Sequence, residues 1–119
     1  MSETPRPTDI RIRRKSRVLR LEYADGTCHE LPFELLRVYS PSAEVRGHGS
    51  GPGTLQTGKA DVMVEDAEIV GNYALKLGFS DGHDSGLFSW EYLRQLGDSQ
   101  QRLWQDYLER LEQEGASRF

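Results

Sequence analysis

Apolar residues along the chain fall into two similar blocks. In "VLRLEYADGTCHELPF" Leu19, Leu21 and Tyr23 alternate with polar residues, and in "NYALKLGFSDGHDSGLFS" Tyr73, Leu75, Leu77 and Phe79 do the same. Period-two alternation places such residues on one face of a strand. Each run ends at Asp-Gly, Asp25-Gly26 or Asp81-Gly82, the sequence of a type I′ hairpin turn with positive φ at both central residues. Leu19, Leu21, Tyr23, Asp25 and Gly26 reappear 56 positions later as Leu75, Leu77, Phe79, Asp81 and Gly82, Leu31 recurs as Leu87 at that offset, and Arg37 recurs as Arg94 one residue further on. The repeat therefore predicts one structural unit used twice: strand, tight turn, strand, helix.

Flanking signals extend the picture. Pro32 is expected to stop the first return strand and open a short helix, "FELLRVY", with Phe33, Leu36 and Tyr39 on one side. Ser89 is placed to cap "WEYLRQL", with Gly97 as its stop. "DVMVEDAEIVG" alternates at Val62 and Val64 and predicts a strand entering the second hairpin. "SQQRLWQDYLERLEQE" puts Leu103, Trp104, Tyr107, Leu108 and Leu111 at helical spacing, capped by Asp98 or Ser99 and ended by Gly115. Two units are too few for a solenoid, so the predicted class is α+β: one antiparallel sheet from both Asp-Gly hairpins, a short helix after each, and a C-terminal amphipathic helix.

Composition narrows the functional classes. The 119 residues suit one domain with a modest core, and no apolar run reaches the roughly 20 residues of a membrane helix. "MSETPRPTDIRIRRK" lacks the apolar stretch of a secretory signal, and Cys28 is the sole cysteine, so no disulfide can form within one chain and a cytoplasmic location is expected. Residues 1–20 carry +5 and the remainder −9. "RIRRKSRVLR" reads as an edge strand with exposed arginines rather than a nucleic-acid arm, because the rest of the chain is acidic. Neither a membrane nor a nucleic acid is the expected partner, and the oligomeric state is open.

The candidate chemistry is sparse. "SPSAEVRGHGSGPGTLQTGKAD" is a long glycine-rich loop. Its "GTLQTGKA" misses a P-loop at Ala60, where a magnesium-ligating hydroxyl is needed, and the following "DVMVED" reads as strand rather than helix. Cys28 and His29 are adjacent on a strand and point to opposite faces. His83 with Asp84, joined by His48 from the loop, could form an open site for zinc or iron; otherwise His83 flanks a turn and bonds to backbone. Ser85, His83 and Asp81 are too crowded in sequence for a catalytic triad. Trp90 and Tyr92, with Phe88, cluster at the second helix start, where one ring is a candidate recognition anchor on the surface.

"LRLEYADGTCHELPFELLRVYSPSAEVRGHG" followed by "VGNYALKLGFSDGHDSGLFSWEYLRQLG" closely resembles the gamma-butyrobetaine hydroxylase-like N-terminal domain family, DUF971, over about Ile10 to Gly97. The resemblance implies a small α+β domain that occurs alone in bacteria. Its relatives are fused to oxygenases acting on gamma-butyrobetaine or trimethyllysine, or to P-loop ATPases linked to iron–sulfur assembly. With the family domain set at 9–97, the two prolines and small polar residues of 1–8 predict a disordered tail, and 98–119 is left as the C-terminal helix and tail. In the oxygenases the domain carries zinc on three cysteines and one histidine. His83 stands at the histidine position, while Ser40, Ser42 and Val45 stand at the cysteine positions. The resulting expectation is a non-catalytic binding or accessory module acting on a protein partner. The alternative is a zinc- or iron-binding protein connected with iron or iron–sulfur handling.

Overall fold

A computed structural model describes residues 6–41 and 55–119. Six strands and three helices follow in order: β1 (Asp9–Arg13), β2 (Val18–Glu22), β3 (Cys28–Pro32), α1 (Phe33–Val38), β4 (Val64–Val70), β5 (Ala74–Phe79), β6 (Gly86–Ser89), α2 (Trp90–Asp98) and α3 (Gln100–Gln113). All strand pairing is antiparallel, which establishes the α+β class with a short helix after each hairpin and a longer one at the end. The strands form two three-stranded sheets, β1-β2-β3 and β4-β5-β6, rather than the single sheet the repeat suggested. Each hairpin recruits its own preceding strand, β1 or β4. Helix α2 packs against β3, and the Gln100 side-chain amide donates to the Glu30 carbonyl at 3.1 Å, so a helix occupies the neighbourhood a further strand would need.

Both Asp-Gly turns have the same geometry, and it is not type I′. Gly26 and Gly82 have φ of 89° and 90°, whereas among the described residues the non-glycine with positive φ is Arg17. Gly26 N–H donates to the Tyr23 carbonyl and Tyr23 N–H to Thr27; Gly82 N–H donates to Phe79 and Phe79 N–H to His83. These are three-residue loops, a tight turn followed by one left-handed residue, which glycine adopts without a Cβ penalty. The aspartates act by side chain instead: Asp25 Oδ1 accepts Thr27 N–H at 3.0 Å and Asp81 Oδ1 accepts His83 N–H at 3.2 Å.

The repeat continues past the turn with a one-residue insertion. Leu19 pairs with Leu31, but Leu75 pairs with Phe88. Between His83 and Gly86 the second unit has one residue more than the first, so Phe88, not Leu87, takes the place of Leu31. Because side chains alternate along a strand, that slip leaves Leu87 on the outer face, 40% exposed. Tyr73, expected inside, lies in the turn before β5 and is 54% exposed.

One core joins both units. Leu19, Leu21 and Leu31 from the first sheet meet Val64, Leu75, Leu77, Phe79 and Phe88 from the second, with Phe33, Leu35 and Leu36 of α1 and Trp90, Leu93 and Leu96 of α2 between them. Side chains buried this fully stabilise by about 1.5–3 kcal/mol each, before entropy is counted. A smaller cluster, Val38 with Tyr107 and Leu111, anchors α3. Ser89 caps α2, its hydroxyl accepting Tyr92 N–H at 3.1 Å. Ser99 is the N-cap residue of α3 but makes no side-chain capping bond. The C-terminal stop of α3 is a Schellman motif, with Ala116 N–H on Leu111 and Gly115 N–H on Glu112. Gly97 does not end α2, which continues through Asp98; it is where the His29 ring packs, since a Cβ at Gly97 would collide with that ring. Among the described residues no helix is long and apolar enough to cross a membrane.

Candidate functional site

A largely buried polar cluster surrounds Asp81, in the turn between β5 and β6. Arg37, in the last turn of α1, donates Nε to Asp81 Oδ2 at 2.8 Å, and Lys59 Nζ reaches the same oxygen at 2.8 Å. Arg37 also donates to Gln56 Oε1 at 3.3 Å. The Arg37 side chain is 9% exposed and that of Asp81 is 21% exposed, so the pair is largely withdrawn from water. Burial alone would raise the Asp81 carboxyl, but the hydrogen bonds from Lys59, Arg37 and His83 N–H outweigh it and bring it down to about 2.

His83 sits beside this cluster. Its Nε2 lies 2.9 Å from the hydroxyl of Ser40, which is fully buried at the end of α1. Burial and the Arg37 cation, with a smaller contribution from Lys59, push the imidazole below its ordinary pKa and favour the neutral ring. Gly86 makes room for the contact, because a side chain there would strike the Ser40 hydroxyl. The Asp81 carboxylate faces Arg37, Lys59 and its own turn, so Ser85, His83 and Asp81 do not form a relay.

The residues expected to ligate a metal are placed as follows. His83 faces Ser40, and Asp84 is exposed. His48, Ser42 and Val45 lie outside the described residues. Within the described residues no group of three His, Cys, Asp or Glu side chains is arranged to hold a metal. One buried hydroxyl beside one imidazole does not fit the three-thiolate, one-imidazole zinc site of the oxygenases. Lys59, the lysine of the P-loop-like stretch, binds Asp81, and the chain continues through a turn into β4, with no helix N-terminus to receive a phosphate.

The first unit contains the counterpart of this cluster. Arg94 of α2 donates to Asp25 Oδ2 and Thr27 Oγ1 at 3.2 Å each, and stacks over the Tyr23 ring at 4.7 Å. Asp25 is lowered to about 2, chiefly by the Thr27 amide and hydroxyl and then by Arg94. His29 packs on Gly97 and bonds Asp98 at 3.0 Å, just as Ser40 packs on Gly86 and bonds His83. Ser40 and Gly97 occupy equivalent places in the two units, as do His29 and Gly86. The family resemblance had placed Ser40 and His83 at one site, and the structure brings them together as hydrogen-bond partners. Nothing in the sequence reading joined Arg37, Lys59 or Gly86 to them, although the recurrence of Arg37 as Arg94 was a signal for the arginine.

A second feature is a groove of about 560 Å³ between α2 and α3. Tyr39, Tyr92, Leu96 and Leu103 supply its aromatic and aliphatic lining, while Arg102, Asp106 and Glu109 are exposed along it. Tyr92 donates its hydroxyl to the Tyr39 carbonyl and Tyr39 donates its own to Leu103, so both rings are held in place. Of the two aromatic residues proposed from sequence as anchors, Tyr92 is half-buried in this groove. Trp90 is a core residue, 5% exposed, donating its indole N–H to the Asn72 carbonyl.

Comparison with known proteins gives a consistent result. A protein known from an NMR solution structure is 47% identical, with 98% of this chain and 91% of that one aligned and a TM-score of 0.84. Another NMR solution structure is 46% identical over 99% of this chain and 88% of that one, with a TM-score of 0.85. A crystal structure of a DUF971 protein of unknown function from Acidithiobacillus ferrooxidans is 41% identical over 82% of this chain and 98% of that one, with a TM-score of 0.68. Comparison with functionally curated proteins finds no match. The model of the family described as gamma-butyrobetaine hydroxylase-like, N-terminal, matches residues 10–94, and the chain belongs to that family.

Proposed function

We propose that this chain is a small non-catalytic binding module that engages a protein partner through the groove between α2 and α3. The observation that carries this reading is the groove's construction. Tyr39 and Tyr92 are fixed by hydrogen bonds, the half-buried Leu103 adds apolar surface over the buried Leu96, and Arg102, Asp106 and Glu109 stand exposed beside them. Apolar centres with charged rims, and rigid aromatic rings with little side-chain entropy to lose, are what protein recognition uses. The commitment of Asp81 and His83 to Arg37, Lys59 and Ser40 supports a structural rather than catalytic role for the polar cluster. The alternative, a metal-binding role in iron or iron–sulfur handling, gains no donor set from the described residues.

The test is a photo-crosslinking side chain placed at Arg102 in the native cell, compared with the same group at Glu68 on β4. A discrete protein adduct from position 102, absent from position 68 and lost on Tyr92→Ala, is the expected result. Equal adduct patterns from the two positions, or none from 102, would sink the proposal.

A further inference from the structure

The other side of α3 carries a different site. Glu34 of α1 is 7% exposed, and a carboxylate buried that far needs a cation beside it. The cation comes from beyond the helix. Arg118 donates Nε to Glu34 Oε2 at 2.9 Å and Nη2 to Oε1 at 2.7 Å, the paired geometry a guanidinium provides and an ammonium cannot. The same guanidinium lies 5.2 Å from the centre of the Trp104 ring. The backbone carrying it is held without regard to side chains: Gly58 N–H donates to the Ser117 carbonyl and Ala60 N–H to Arg118, both at 3.0 Å. Buried carboxylate, indole face and two backbone donors together read an extended segment that contains an arginine.

We infer that the Glu34–Trp104 pocket is a recognition site for an arginine-bearing extended segment of a partner protein, occupied here in cis by Arg118. Two observations separate this from a purely structural tail. A groove of about 650 Å³, walled by Arg118 itself with Glu34, Trp104, Pro32, Gln101 and Gln105, lies open beside the ion pair, so the site offers surface that Arg118 does not cover. The tail leaves α3 at Gly115, whose φ of 63° turns the chain sharply, and Phe119 beyond the arginine is 80% exposed. A partner segment would therefore replace one arginine and two backbone bonds while α3 stays docked through Tyr107 and Leu111. This site lies on the face of α3 opposite the Tyr39–Tyr92 groove and stands independently of any partner there.

The experiment uses the full chain with Arg118→Ala and a synthetic peptide of residues 114–119, followed by NMR at the Trp104 indole and the Gly58 and Ala60 amides. The expected result is saturable shifts of these three signals, at least about tenfold weaker with a peptide in which the arginine is alanine. The shifts should vanish in the double variant Glu34→Gln, Arg118→Ala. Wild-type protein should respond far more weakly, because its own tail fills the site. No saturable shifts, or equal affinity for wild type and variant, would overturn the inference. If Arg118→Ala does not fold, Arg118→Lys keeps the charge while losing the paired bonds, and the same titration on it decides the matter. Concentration-dependent dimerisation of wild type that is lost in the variant would assign the pocket to a second copy's tail and overturn the partner reading.

Discussion

Arg37 Nε donates to Asp81 Oδ2 at 2.8 Å, and Arg94, its counterpart in the second unit, donates to Asp25 Oδ2 at 3.2 Å. Each unit's helix thus holds the turn of the other unit. The two halves are fastened by a reciprocal exchange of ion pairs around their common core, and the repeat in the sequence records both ends of it.

The two clamps differ in burial, so they should differ in strength. Asp81→Asn leaves Arg37, only 9% exposed, without its carboxylate and is expected to destabilise by about 1–3 kcal/mol in chemical denaturation. Asp25→Asn should have the smaller effect, because the Asp25 side chain is 55% exposed and water screens its pair with Arg94. A larger loss at Asp25 than at Asp81 would contradict the assignment.

The turn glycines should behave alike. Gly26→Val and Gly82→Val each force a β-branched residue to φ near +90°, with an expected cost of about 1 kcal/mol or more. Because no neighbour crowds either position, the loss is conformational and no second-site truncation should relieve it. Unchanged melting temperatures for both variants would contradict the turn geometry.

Gly86 and Gly97 are different, since their constraint is space. Gly86→Ala drives a methyl group into the Ser40 hydroxyl, and Gly97→Ala drives one into the His29 ring. Overpacking of this kind costs about 1–3 kcal/mol. Truncating the opposing ring in the double variant Gly97→Ala, His29→Ala should recover part of the loss, measurable as non-additivity in the double-mutant cycle.

Stability should respond to acid in two steps. The folded-state pKa of His83 lies below its ordinary 6.5, so the unfolded chain takes up that proton first. The His83 contribution is complete above about 6.5 and is lost as pH falls through the lower folded value. The charges that act on the ring are those of Arg37, Lys59, Asp81 and Asp84; the two cations oppose its protonation and the two carboxylates favour it. Asp25 and Asp81, brought from 3.8 to about 2, give a second loss between those values as pH falls. Denaturation midpoints measured across pH should show the first step diminished in His83→Gln and the second in Asp81→Asn. A first step of unchanged size in His83→Gln would assign it to another group.

The elements themselves were legible in the chain because their causes are local. Alternating Leu19, Leu21 and Tyr23, the glycine of each Asp-Gly turn, the Ser89 cap and the Gly115 stop act within a few residues of one another, where backbone sterics and hydrogen bonding decide the outcome. Tertiary structure decided what depends on residues brought together from opposite ends of the sequence. The extra residue between His83 and Gly86 moves Leu87 outward and brings Phe88 in, a choice made by pairing with Leu75 rather than by any property of "GLFS". Gly97 resembles a helix stop in sequence, yet its role is set by the His29 ring on a strand of the other unit. His83 stood out as a candidate ligand, but its partner is Ser40, buried beneath it because Gly86 lacks a side chain. Arg118 attracts no attention in "EGASRF"; only the fold places it on a buried carboxylate 84 positions earlier in the chain. Burial at such places makes the cost of an unpaired charge large, and burial is a property of the assembled chain.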